Sequence, residues 1–143
     1  MLVEEAEFGS ETYGEMLVLR KRILRDPLGL EWTAEEEAWE SRERHFAMKV
    51  DNGIVACVVI RPLGNGAVKL RQMAVEPEQQ GAGVGRRLLG GVEKILITDE
   101  VDRIELNARD AAVGFYERLG FRKVGEEFME VTIPHWKMVK ALR

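Results

Sequence analysis

Cysteine is almost missing from this chain: Cys57 is the only one in 143 residues. A lone cysteine cannot close an internal disulfide, which suits a reducing compartment. Cys57 also lies inside the apolar run IVACVVI, so a small core residue is expected there rather than a catalytic thiol. Long apolar runs are missing as well. Nothing approaches the roughly 18 residues of a membrane span, and Met1-Leu2-Val3-Glu4-Glu5 lacks the basic start and apolar core of a signal peptide. A soluble, cytoplasmic protein with no membrane partner is therefore expected. There is no excess of positive charge, since 21 basic residues against 25 acidic ones leave a net −4. Without a basic stripe interleaved with aromatics, nucleic acid is not an expected partner. Repeats, low-complexity tracts and long linkers are absent too, so residues 1–143 read as one domain of ordinary size.

What is present centres on Val68 to Leu89, where an apolar strand runs into a glycine-rich turn and the turn opens a helix. Gly81, Gly83 and Gly85 stand at every second position. They remove side chains that would keep a ligand off the backbone, and they accept the positive φ such turns need. Val84, Leu88, Leu89, Val92, Ile95 and Leu96 then recur at helical spacing. The turn's amides are thus the unpaired donors of a helix N-terminus, backed by the positive end of its dipole, a cradle suited to phosphate. A P-loop is excluded because Arg86, Arg87 and Leu88 occupy the positions it gives to Gly, Lys and Ser/Thr. The dinucleotide fingerprint G-x-G-x-x-G fails at Arg86 as well.

The elements around the turn follow from local signals. LVEEAEF reads as an edge strand. Ser10 can cap a helix running to about Arg25, with Tyr13, Met16, Leu17, Ile23 and Leu24 on its buried side. Asp26-Pro27-Leu28-Gly29 ends it, and Thr33-Ala34-Glu35-Glu36 has capping-box spacing for a short second helix. Glu35, Glu36, Glu37 and Glu40 are most simply a solvated face. HFAMKV and IVACVVIRP flank Asp51-Asn52-Gly53, a hairpin signal. A second turn at Gly64-Asn65-Gly66 leads to the strand Val68 to Val75. After the helix from about Gly85 to Ile97, RIELNA is a strand whose crossover predicts parallel pairing. Asp110 can cap a fourth helix that ends at Gly120, and closing strands fall near Arg122 to Phe128 and Trp136 to Ala141. The fold class is α/β (α+β): a mixed, mostly antiparallel sheet of about seven strands with about four helices, in the order β-α-α-β-β-β-α-β-α-β-β.

The segment Gln80-Gly81-Ala82-Gly83-Val84-Gly85 matches Q/R-x-x-G-x-G/A, and Asn107-Ala108 followed by AAVGFYERLGF matches a second signature in the right order. On these residues the chain resembles the GNAT superfamily of acyl-CoA N-acyltransferases. IPH at Ile133 to His135, the segment from Leu19-Arg20 to Pro27-Leu28-Gly29, and EEF at Glu126 to Phe128 are similar to its ElaA-like branch. The resemblance implies acetyl-CoA as co-substrate, no metal, and an amine as acceptor. It assigns the coenzyme pyrophosphate to the turn from Gln80 through Ala82 and Val84 to Arg86, and pantetheine to backbone amides at Met73, Ala74 and Val75 on a bulged strand. Asn107 becomes a pantetheine contact, Phe115 a coenzyme neighbour and Tyr116 the general acid. A phenol of pKa about 10 can give a proton to a thiolate whose conjugate acid lies near 8.5. Some members carry a glutamate base on the bulged strand, where this chain has Arg71, Gln72 and Met73. The base is then Glu130, His135 or a water relay, and Glu126, Phe128 and Glu130 share a face if their strand is regular. The resemblance leaves open a longer acyl group, a catalytically silent acyl-CoA-binding module, the acceptor's identity, and whether the protein is a monomer or a homodimer.

Overall fold

The computed structural model describes residues 2–51 and 53–143. Its seven strands form one sheet: β1 (Val3–Ala6), β2 (Arg44–Val50), β3 (Gly53–Gly64), β4 (Ala67–Val75), β5 (Arg103–Arg109), β6 (Arg122–Glu130) and β7 (Ile133–Ala141). The strand order is β1-β2-β3-β4-β5-β7-β6. Every pairing is antiparallel except β4 with β5. The helices are α1 (Glu11–Arg20), α2 (Ala34–Trp39), α3 (Val84–Thr98) and α4 (Val113–Arg118). This is the expected fold class and element order. Among the described residues no helix is long and apolar enough to cross a membrane.

Strand alternation sends two sets of side chains to opposite faces. Phe46, Met48, Val58, Ile60, Leu70 and Leu106 pack with the apolar stripe of α3 and with Val113 and Tyr116 of α4. Ala47, Cys57 and Ala74 pack instead with Met16 and Leu19 of α1. Small residues on this second face let α1 lie close to the sheet.

Local signals hold at most helix ends. Ser10 caps α1 by accepting from the Tyr13 amide at 3.2 Å. Thr33 and Glu36 form the reciprocal capping box of α2, both bonds at 3.1 Å. After α4, Gly120 at φ 97° reverses the chain, and the Phe121 amide returns to the Tyr116 carbonyl at 3.0 Å. Across the 51–53 hairpin Val50 pairs with Gly53 and Asp51 takes φ 55°; Asn52 lies outside the described residues.

Four expectations need correction. The buried side of α1 is rotated: Leu19 and Arg20 are buried with Tyr13 and Met16, whereas Leu17 and Leu24 are half-buried. Beyond Arg20 the helix widens into a π turn, Lys21–Arg25. Asp110 does not cap α4; it opens a 3-10 turn, Asp110–Ala112, and its Oδ1 accepts from the Trp136 indole N–H at 3.0 Å. The four acids near α2 are not one solvated face, because Glu36 and Glu40 are ion-paired and Glu40 is buried. Finally, β6 is irregular. Gly125 at φ 74° accompanies a register shift between Val124 and Phe128, so Glu126 does not share a regular face with Glu130.

Candidate active site

β4 and β5 pair only from Ala67–Arg103 to Leu70–Leu106. Beyond that rung β4 continues to Val75 alongside β3, and β5 continues to Arg109 alongside β7, so the sheet opens between them. A bulge accompanies the opening. Arg71 pairs with Val59 and Ala74 with Cys57, which leaves Gln72 and Met73 opposite Val58 alone. Gln72 takes φ 50°, a left-handed conformation that costs a non-glycine residue roughly 1–2 kcal/mol.

The glycine turn lies at this opening. Gly81 and Gly83 have φ 84° and 80°, and a Cβ on either would meet nothing within 4 Å. The backbone is therefore bare to the outside, as an approaching anion requires. Gly83 is the N-cap of α3, and its carbonyl accepts the first helical bond from Arg87 at 3.0 Å. The amides of Val84, Gly85 and Arg86 precede that bond and have no acceptor within the helix. Gln80 braces the turn by donating to the Val75 carbonyl at 3.1 Å. A Cβ on Gly85 would stand 3.4 Å from Phe115, 3.5 Å from Met73 and 3.7 Å from Val75. The structure thus joins the glycine turn, the bulged strand and the fourth helix at one place. Ala82 is exposed on the turn, while Arg86 lines a cavity of about 160 Å³ that reaches Leu70 and Ile104.

Tyr116 is 8% exposed, with its ring edge-on to Phe115 at 5.1 Å and to Phe121 at 5.7 Å. Burial pushes its phenol up to about 12. Cys57 sits on the α1 face of the sheet, fully buried, and burial likewise pushes its thiol up to about 12. A thiolate nucleophile is not available there at neutral pH.

Asn107, Glu130 and His135 come together on the face occupied by α1. Asn107 donates to Glu130 Oε1 at 3.3 Å, and Glu130 Oε2 lies 3.4 Å from His135 Nε2. His135 Nδ1 lies 2.7 Å from the Ile133 carbonyl. Since a carbonyl only accepts, Nδ1 donates to Ile133, and Nε2 is the ring nitrogen that faces Glu130. With the β6 register broken, Glu130 faces His135 rather than standing in a regular row with Glu126.

A second group on this face brings Tyr13, Glu36 and Glu40, already named from the sequence, together with Trp32 and with Arg20, to which the sequence assigned no role. Arg20, 1% exposed, holds both oxygens of Glu40, Nη1 to Oε1 at 2.8 Å and Nη2 to Oε2 at 2.9 Å. Tyr13 donates to Glu40 Oε1 at 2.8 Å. Burial would raise the Glu40 carboxyl, but Arg20 and Tyr13 hold it below the ordinary range. Arg20 also donates to Gln72 Oε1, through Nε at 2.8 Å and through Nη2. Gln72 in turn donates to Glu36 Oε2 at 3.3 Å, and Glu36 is paired with Arg25. Both guanidinium groups stand over the Trp32 ring, at 5.1 and 4.6 Å. Phe8, Tyr13, Arg20, Trp32, Glu36 and Glu40 are among the residues lining a cavity of about 290 Å³. The sequence did carry a hint: Tyr13, Met16 and Arg20 fall at i, i+3 and i+7, one stripe of a helix.

Residues 28–142 match the acetyltransferase (GNAT) domain family. A Bacillus subtilis (strain 168) protein bearing an acetyltransferase name is 30% identical over 97 residues, covering 68% of this chain and 65% of that protein. The uncharacterised N-acetyltransferase YjcF of the same strain is 35% identical over 77 residues, 53% of this chain and 55% of its own length. The chain thus spans less than two thirds of these relatives. Among solved structures, Escherichia coli ElaA superposes with a TM-score of 0.86 at 20% identity, covering 98% of this chain and 99% of ElaA. An aminoglycoside 6'-N-acetyltransferase complexed with coenzyme A superposes with 0.79 at 17% identity, covering 100% and 98%. At these identities the structural likeness is one of fold. With most of its length matched by the domain family, the chain belongs to the GNAT acetyltransferases.

Proposed function

We propose that this protein is a cytoplasmic N-acetyltransferase that uses residues 1–143 as one catalytic domain and moves the acetyl group of acetyl-CoA to a primary amine by direct attack. The observation that carries this reading is the meeting of Gly85, Met73, Val75 and Phe115 where β4 and β5 part. A phosphate cradle and a bulged strand end are thereby set at the mouth of one opening.

The amides of the Gln80–Arg86 turn, at the positive end of α3, hold the pyrophosphate. Asn107 and the amides from Met73 to Val75 hold the pantetheine arm, and the same amides polarise the thioester carbonyl. The amine nitrogen forms a bond to the carbonyl carbon as the carbon–sulfur bond breaks. The acceptor's ammonium first releases one proton to solvent. Then, as the neutral amine attacks, Tyr116 gives its proton to the departing sulfur and the second proton from the nitrogen passes to His135 Nε2, with Glu130 stabilising the imidazolium. Atoms and charge balance: an amide and a free thiol are the products, and solvent returns the two side chains to their starting states. Cys57 offers no acyl-enzyme route. The cavity between α1 and α2 receives the acceptor, its aromatic walls and the nearby Glu37 favouring an amine with an apolar body and a cationic head.

The test is a panel of amines, polyamines, aminoglycosides and peptide N-termini with acetyl-CoA, reading free thiol. Amine-dependent thiol release with an acetylated product by mass is expected. Tight acetyl-CoA binding without release for any amine would make the chain a binding module, and release only with longer acyl-CoA would correct the donor.

A further inference from the structure

We infer that Gln72 is a positioning residue whose side chain, gripped by Arg20 and Glu36, holds the β4 bulge in the conformation that aims the following amides. The inference rests on the reading of β4 as the strand that receives the thioester. Gln72 is the one β4 residue with positive φ, and the bulge lies at Gln72 and Met73. A glutamine does not take up φ 50° in a strand by preference, so something must hold it. Its amide is engaged at both ends: the oxygen accepts two N–H groups of Arg20, and the nitrogen donates to Glu36 Oε2 at 3.3 Å. Neither partner is free to drift. Arg20 is fixed by both oxygens of Glu40, and Glu36 is fixed by Arg25 and by the Thr33 amide at 3.1 Å. Polarity also matches, with the carbonyl end on a cation and the NH₂ end on a carboxylate.

The clamp reaches the bulge from the α1 face, whereas Met73 and Val75 turn toward Gly85 on the other. It therefore orders the backbone without occupying the coenzyme's path. Because the anchor is a side chain and the requirement is a backbone angle, the two can be separated by mutation. Alanine removes the anchor and keeps the strain. Glycine removes the anchor and also the strain, since it accepts positive φ freely.

The experiment compares wild type, Gln72→Ala and Gln72→Gly for kcat and KM with a responsive amine, and for acetyl-CoA dissociation constant by calorimetry. Gln72→Ala should lose about 10²-fold in kcat, the scale on which small misplacements act, with a much smaller change in the dissociation constant. Gln72→Gly should recover at least about tenfold of that loss. Arg20→Lys keeps a cation for Glu40 but cannot reproduce the fork on Gln72. It should lower kcat by a clearly larger factor in the parent than in the Gln72→Gly background, because only the parent loses the grip on Gln72 as well as a wall of the cavity, a non-additivity that loss of stability alone does not produce. A Gln72→Ala enzyme as fast as wild type, or a Gln72→Gly enzyme as slow as Gln72→Ala, overturns the inference. Failure of wild type to bind acetyl-CoA would be seen before any variant is made; it defeats the underlying reading, and the positioning role falls with it.

Discussion

Tyr116 and Cys57 are both buried groups whose conjugate bases burial disfavours, yet the consequence differs by role. A phenol kept protonated is a usable acid; a thiol kept protonated is a poor nucleophile. For Tyr116 the sign of the pH effect follows from its raised pKa. The stability tied to the neutral phenol is complete below its ordinary value near 10 and is lost as pH rises through about 12. Tyr116→Phe should keep the fold and the acetyl-CoA dissociation constant and lower kcat about 10²- to 10⁴-fold. It should also remove part of the alkaline unfolding seen between those two pH values. Stopped-flow thiol release and denaturation at stepped pH would measure both, and an unchanged chemical rate would leave Tyr116 a core aromatic. At this scale Tyr116 stands out in the sequence because its helix carries a recognisable signature, which makes its role a testable expectation. The sequence hid Arg20, because an arginine on an apolar stripe has meaning only once Glu40 and Gln72, 20 and 52 positions away, are known to meet it.

The elements were legible where their signals are local. The glycine spacing marked the start of α3, the capping box marked α2, and the turn at Asp51 marked the β2–β3 hairpin, since each depends on backbone preferences a few residues apart. What failed was phase and regularity. The rotated stripe of α1 is set by packing on Ala47, Cys57 and Ala74, and the break in β6 by Gly125; neither is a short-range rule. For the turn itself the expected outcome is sharp. Gly83→Val would impose φ 80° on a β-branched residue, at a cost of roughly 1–2 kcal/mol, with no steric clash from neighbours. The variant should stay folded with a slightly lower midpoint, yet lose most of the thermal shift that acetyl-CoA gives the wild type by mass action. Differential scanning fluorimetry at a series of coenzyme concentrations reads both effects. A full shift in a folded Gly83→Val protein would move the phosphate elsewhere.

Over the whole molecule, the sheet is divided between two tenants. α3 and α4 pack on one face, with the glycine turn at the start of α3; α1 packs on the other and, with α2, encloses the cavity lined by Arg20 and Glu36. Those two residues are the same ones that grip Gln72 from the cavity side. An ammonium group entering the cavity competes for Glu36, and the bulge lies one side chain away. Thermodynamic linkage makes any such effect mutual: saturating amine should change acetyl-CoA affinity by the same factor by which acetyl-CoA changes that of the amine. Titrations in both orders would test this, and independent binding in each would sever the two halves. If the halves are joined, the unproductive reaction is suppressed as well. Water is always at hand to cleave a thioester, but it exerts no pull on Glu36, so spontaneous loss of acetyl groups should stay slow until an acceptor has taken its seat.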